Sequence, residues 1–292
     1  MPATLPAWGM VDPSPRPGVL VLGMHRSGTS ALTRLLSLHG LALPADLLAG
    51  RPDNPLCFFE SAATVQLNDR LLAAAGSAWD DPRPLPDPPL PQAALEPFIE
   101  DAVALLREQW PGEAPFILKD PRCCRLLALW LPALARLGAR PVAVLAVRNP
   151  VEVARSLAAR NALPRRDALR LWLSHVVAAE RDTRGMARAV VHYDDLIRDW
   201  RTVLGGLGLA IDPDRAAMAD AFLTGALRHH EADTDAVLRD PAVPAPVKRV
   251  YAELRRAPGE SGLDQAVFDA AARSLFLRGM PTGEVAANPA GA

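Results

Sequence analysis

Cysteine is scarce: there are three in 292 residues, and two of them are adjacent, Cys123 and Cys124. An odd count with no C-x-x-C pair excludes a disulfide framework and a cysteine-based zinc site, and it points to a reducing compartment. A surplus of charge of one sign is missing too. The 32 Lys and Arg stand against 33 Asp and Glu for a net charge of -1, which removes the basic excess of a protein that lives on nucleic acid. Uncharged stretches such as Leu126 to Ala135 end far short of the roughly 20 apolar residues that span a bilayer. Residues 1–17 hold five prolines and a single base, Arg16. With no charged region ahead of an apolar one, no secretory signal is indicated, and the cytoplasm is the expected location. Lysine is nearly absent, Lys119 and Lys248 being the only two, so a lysine inside a motif carries weight.

What is present is globular. Hydrophobic residues make up 50% and charged residues 22%, values that exclude disordered and fibrous classes. The length is enough to bury a core without disulfides or metal. Four short apolar runs, Gly18–Leu22, Pro115–Lys119, Pro141–Val147 and Ala189–Tyr193, read as strands buried on both faces. A helical pattern follows each. Leu32, Leu35, Leu36 and His39 keep a 3.6-residue period after the first, and Asn149-Pro150 starts a helix running to about Arg160. Leu169, Trp172, Leu173 and Val176 mark the next one, and helices are expected near 214–227, 245–256 and 263–278. The alternation predicts an α/β fold: an open, mostly parallel sheet flanked by helices, in a single domain over 18–280. The proline-rich segment 80–97 is expected to be extended, and 1–17 and 281–292 to be flexible tails.

Gly23-Met24-His25-Arg26-Ser27-Gly28-Thr29-Ser30 joins the first strand to the first helix and nearly matches the phosphate-cradling pattern G-x-x-x-x-G-K-[ST]. Thr29 stands where that pattern has lysine. Gly28 still lets the backbone approach a phosphate, and the N–H groups of Gly28, Thr29 and Ser30 still point at an anion from a helix start. Without the lysine, the loop suits one phosphate better than a triphosphate. No carboxylate can be assigned to magnesium.

GMHRSGTSALTRLL resembles the 5′-phosphosulfate loop of sulfotransferases that use 3′-phosphoadenosine 5′-phosphosulfate. LAVRNPVEVARSL, with Arg148 at a strand end and Ser156 eight residues on, resembles the family's 3′-phosphate motif. LKDPR, at 118–122, resembles the segment with its active-site lysine, and VHYDDL, at 191–196, resembles a later tyrosine-acid-leucine stretch. The resemblance runs from about Gly18 to His230. It implies a P-loop nucleotide-triphosphatase-like fold and in-line, metal-free transfer of a sulfuryl group to a hydroxyl or amine acceptor. The acceptor's class stays open among carbohydrate, lipid, peptide and small metabolite. Donor-binding residues are then Arg26, Ser27, Gly28, Thr29, Ser30, Arg148 and Ser156, with Arg26 and Lys119 at the sulfonate and leaving group. Because Ser156 lies two turns into its helix, it and Arg148 can share a phosphate only beside that helix.

The base has three candidates: Glu60, Asp120 and His25. Glu60, within NPLCFFES, occupies the place of the family's glutamate before the second helix. The animal cytosolic branch has a histidine two residues after the lysine, where this chain has Pro121, and the C-terminal Arg-Lys-Gly clamp of that branch is not visible. Beside Arg26, Glu60 is expected to have a lowered pKa. Asp120 reads as orienting the strand end or a neighbouring arginine, and His25 as a satisfied loop residue. His229 and His230, near Glu231, Asp233 and Asp235, read as an exposed helix end because adjacent side chains project apart, and His39, His175 and His192 read as core or edge. The rival functions are a P-loop kinase acting on a small molecule and a catalytically silent nucleotide-binding protein.

Overall fold

The computed structural model describes residues 15–50, 58–223, 234–256 and 262–277. Strands β1 (Pro17–Leu22), β2 (Phe116–Lys119), β3 (Arg140–Val147) and β4 (Arg188–His192) form one sheet in the order β2-β1-β3-β4. All pairings are parallel, with Val21 opposite Lys119, Leu22 opposite Leu145 and Val147 opposite His192. The helices are α1 (Thr29–Leu38), α2 (Ala62–Ala74), α3 (Gln92–Gln109), α4 (Leu127–Leu137), α5 (Pro150–Asn161) and α6 (Arg165–Asp182). They continue with α7 (Tyr193–Arg198), α8 (Trp200–Gly206), α9 (Pro213–Leu223), α10 (Thr234–Arg239), α11 (Ala245–Arg256) and α12 (Gln265–Leu277). Among the described residues, no helix is long and apolar enough to cross a membrane.

Alternate strand residues point to opposite faces, and the two faces are covered by different helices. Leu20, Leu22, Leu118, Leu145 and Val190 enter a core with α2 to α6, α11 and α12. Val19, Val21, Ile117, Val144 and Val191 enter a second core with α1, α8 and α9. Burial on both sides is why the strands are continuous apolar runs rather than alternating ones.

Two expectations change. Segment 80–97 is not extended throughout, because α3 starts at Gln92 and contains Pro97. An interior proline costs about 3 kcal/mol. Leu95, Ile99, Ala102 and Leu106, each at most 1% exposed, form a helical stripe, and at about 1.5–3 kcal/mol for each large side chain the stripe outweighs it. The N-terminal boundary also moves: Pro17 pairs with Arg140 in β1, and Arg16 is tied down. Its guanidinium donates to the carbonyls of Ala114 and Trp110 and lies 4.4 Å over the Phe116 ring. Residues 1–14, 281–292, His229, His230, Glu231 and Asp233 lie outside the described residues.

Glu180 joins the end of α6 to β4. Its carboxylate is fully buried and accepts from Arg184 and Arg188, while Arg188 also donates to the Glu180 carbonyl and to Thr183 Oγ1. Glu180→Leu would strand a buried guanidinium, and urea unfolding should register a loss of about 3–5 kcal/mol. Arg184→Ala leaves the inner pair intact and should lose far less. Equal losses would mean that burial is not what gives the pair its weight.

Candidate active site

In a parallel sheet, every strand delivers its C-terminal end to one edge. Here the chain steps from β1 to one neighbour, β2, and then crosses to the other, β3. Reversals of this kind are where open α/β sheets take ligands; Lys119 ends β2 at this edge, and the loop 23–28, Arg148 and Tyr193 follow the ends of β1, β3 and β4.

The loop is shaped by close approaches. A Cβ on Gly23 would stand 2.5 Å from the Ala146 carbonyl, and one on Gly28 would stand 2.1 Å from Tyr193 Cδ2. Gly28 also has φ +82, and Arg26 adopts the left-handed region at φ +70. Ser27 N donates to the Met24 carbonyl at 3.0 Å, closing the turn. From Gly28, α1 begins with no side-chain cap and no acid in its first turn, whereas Ser61 caps α2 and Asn149 caps α5. Beside these uncapped amides the Ser27 hydroxyl, on a residue 2% exposed, is buried without a partner. Unsatisfied N–H groups, the positive end of a helix dipole and an orphan hydroxyl are features that favour an anion. Thr29 is buried in the first turn and Ser30 is partly buried.

Lys119, at the end of β2, is 3% exposed. Its ammonium donates to Glu60 Oε1 at 2.5 Å, to the Phe58 carbonyl at 2.9 Å and to Ser30 Oγ at 3.3 Å. Ser30 Oγ itself donates to the Phe58 carbonyl at 3.1 Å, so one lysine gathers β2, α1 and the segment before α2. Phe59, at φ +55, turns that segment so that Glu60 faces inward. The expected pKa of Glu60 is corrected: burial pushes its carboxyl up, and Lys119, not Arg26, is the cation that opposes the rise. Asn54 and Pro55 lie outside the described residues.

Arg26 Nε donates to Ser156 Oγ at 2.8 Å, and Arg148 donates to the Arg26 carbonyl at 3.2 Å and to Glu152 Oε2 at 2.8 Å. Arg26 thus contacts both Arg148 and Ser156. The Arg148 guanidinium lies 4.4 Å over the Tyr193 ring, and the Trp172 indole donates to its carbonyl. Asp120 is fully buried and caps the 3-10 turn Pro121–Arg125 by accepting from Arg122 N. It also accepts from the Arg122 guanidinium and from Asn68. His25 sits between Trp79, at 4.7 Å, and His175, at 6.3 Å between centroids. Among the described residues, no three His, Cys, Asp or Glu are grouped to hold a metal.

Sequence reasoning gave no role to Tyr193, the wall behind Gly28, or to the Phe58 carbonyl. Tyr193 stood inside VHYDDL, so a signal was there; a backbone carbonyl leaves none.

No protein-family model and no curated protein matches the chain. Among solved structures, the sulfotransferase domain from the Synechococcus PCC 7002 olefin synthase is similar over 92% of this chain and 97% of that one, at 19% identity and TM-score 0.43. Those values are too low to carry that domain's activity across.

The fit of Gly28 against Tyr193 can be tested by a double-mutant cycle. Gly28→Ala should destabilise the protein, and Tyr193→Ala should recover part of the loss, with a coupling of about 0.5–3 kcal/mol between contacting residues. Strict additivity would show that the ring does not set the size of residue 28.

Proposed function

We propose that this chain is a sulfotransferase that moves a sulfuryl group from 3′-phosphoadenosine 5′-phosphosulfate to a hydroxyl or amine acceptor, drawing on its own cations rather than a metal. The observation that carries the reading is the meeting, at one sheet edge, of an uncapped helix start with its orphan Ser27 hydroxyl and the buried Lys119–Glu60 pair. The residues fit such a donor. Ser27, Gly28, Thr29 and Ser30 would hold its 5′-phosphate with amides and hydroxyls. Arg148, stiffened by Glu152 and Tyr193, would serve the 3′-phosphate. Ser156, which accepts from Arg26, keeps its own proton to donate there.

The donor supplies an activated sulfuryl group. The chain's part is positioning and charge stabilisation, because little covalent work is left to it. Lys119 and Arg26 would face the negative charge on the leaving oxygen. Glu60 would take the acceptor's proton, and its raised pKa brings it closer to neutral pH than an ordinary carboxylate, which favours a general base. With Thr29 in place of the loop lysine, the kinase reading lacks the charge that reaches outer phosphates. The silent-protein reading is separated by turnover alone.

Three outcomes follow from this assignment. 3′,5′-Adenosine bisphosphate at a hundredfold excess over its Kd should stabilise the protein by about 2.7 kcal/mol, and ATP with magnesium by less at the same concentration; the reverse order would favour the kinase. Glu60→Gln should leave nucleotide affinity within a few-fold and lower kcat by about 10² to 10⁴, whereas Asp120→Asn should lose less. If the Asp120 variant alone is inactive, the base is misassigned. Because the folded protein holds the Glu60 proton more tightly than water does, kcat/KM should climb with pH through a value above the usual 4.3 or so of glutamate. A rate that is flat from pH 4 upward would contradict this role.

A further inference from the structure

Among the described residues three cations are buried, Lys119, Arg125 and Arg188. Lys119 has the carboxylate of Glu60 and Arg188 has that of Glu180. Arg125, which ends the 3-10 turn after Lys119 and is 7% exposed, makes no ion pair with a described residue. Its Nη groups donate to the carbonyls of Ala78, Asp81 and Arg83 at 3.5, 3.2 and 2.9 Å, and its Nε is buried with no partner. The acid whose charge reaches it is Asp81, and that carboxylate is taken by Arg83, at 2.6 Å, and by Ser77. Carbonyls satisfy hydrogen bonds but do not neutralise a charge, and buried charges are as a rule paired. Burial accordingly pulls Arg125 down to about 10, with Asp81 opposing.

Arg125 forms part of the wall of a cleft between α6, α12 and segment 84–86. Ser174 is in the same wall, 5% exposed, and its hydroxyl has no hydrogen-bond partner among the described residues. The remaining wall is apolar, with Leu85, Val177, Leu275 and Phe276 its larger members, apart from Arg181, which is held by Asp87 and Asp182. None of the residues assigned above to nucleotide or chemistry lines it. We propose that this cleft is a second binding site, one that takes the carboxylate of a small aliphatic or aryl acid: Arg125 pairs with the charge, Ser174 Oγ donates to it, and the apolar body lies across Leu85, Leu275 and Phe276. The inference does not depend on the function proposed above.

Space and charge together select this class. The cleft holds about 50 Å3, and a single water needs about 10–15 Å3, so it has room for a carboxylate and little more. The body of the acid is left at the mouth, where Phe276 is 53% exposed. A carboxylate offers two coplanar oxygens, which suits one guanidinium and one hydroxyl. A phosphate dianion brings a second charge, for which the wall has no cation to spare, because Arg181 already has two carboxylates. A neutral amide of the same shape fills the space and leaves Arg125 uncompensated.

Hexanoate and hexanamide separate these cases in 1H–15N spectra of the full chain at neutral pH. Expected are saturable shifts with hexanoate around Ser174 and Phe276, and binding of hexanamide at least about tenfold weaker. Ser174→Ala should weaken hexanoate about tenfold, the loss of one hydrogen bond to a charged group. Ala178→Leu, which fills the cleft from α6, should abolish binding, and Arg125→Met should reduce hexanoate to the level of hexanamide. Because Arg125→Met also releases the carbonyls of 78–83 and can fail to fold, the Ser174 and Ala178 variants decide the matter without it. Equal affinity for acid and amide would overturn the proposal and leave Arg125 a clamp for its loop. Hexanoate bound undiminished by Ala178→Leu, or no saturable shift at millimolar concentration, would remove the site.

Discussion

Parallel strand pairing is the constraint on which the rest depends. It sends the ends of β1, β2, β3 and β4 to one edge, and with β1 inside the sheet the chain must reverse direction across it. The first loop, Lys119, Arg148 and Tyr193 are far apart in sequence and meet because of that topology. Two strong side-chain demands are met at the same edge. Gly23 has no room for a side chain against the β3 backbone, and Gly28 has none against Tyr193. The loop can therefore lie flat enough to aim its amides outward.

Charge at the edge is handled by pairing within the site. Lys119 is held by Glu60, Arg148 by Glu152, and Arg122 by Asp120 and Asp69. Buried pairs of this kind add little net stability, because desolvation offsets attraction. Their value here is positional: three guanidinium or ammonium groups sit in fixed places with directed donors, and a carboxyl raised by burial sits bonded to one of them. Under the function proposed, such an arrangement would favour charge developing in a transition state over charge spread across a substrate.

Much of the fold was legible in the sequence for one reason, that strands buried on both faces leave unbroken apolar runs. The run at 18–22 gained one residue, Pro17, once Arg16 was seen to anchor it, and the helix at Asn149-Pro150 began where its cap placed it. α3 escaped notice because Pro97 outranks a stripe of four apolar residues in any local reading. In the site, the loop was visible as a motif. The Lys119–Glu60 pair was not, since its members are 59 residues apart and nothing local joins them. The same distance explains why the shift of Glu60 was expected in the wrong direction: the sign depends on how deeply the segment is buried, and burial is a property of the packed chain.

The central claim is that the edge beyond β1 receives a nucleotide carrying phosphates at both its 5′ and 3′ positions. Crystals grown with 3′,5′-adenosine bisphosphate test it most directly. The account predicts density for the 5′-phosphate on the amides at the start of α1 and on Ser27 Oγ, with the 3′-phosphate beside α5 in reach of Arg148 and Ser156. A nucleotide bound elsewhere, or bound at this edge with its 3′-phosphate turned away from α5 into solvent, would contradict it.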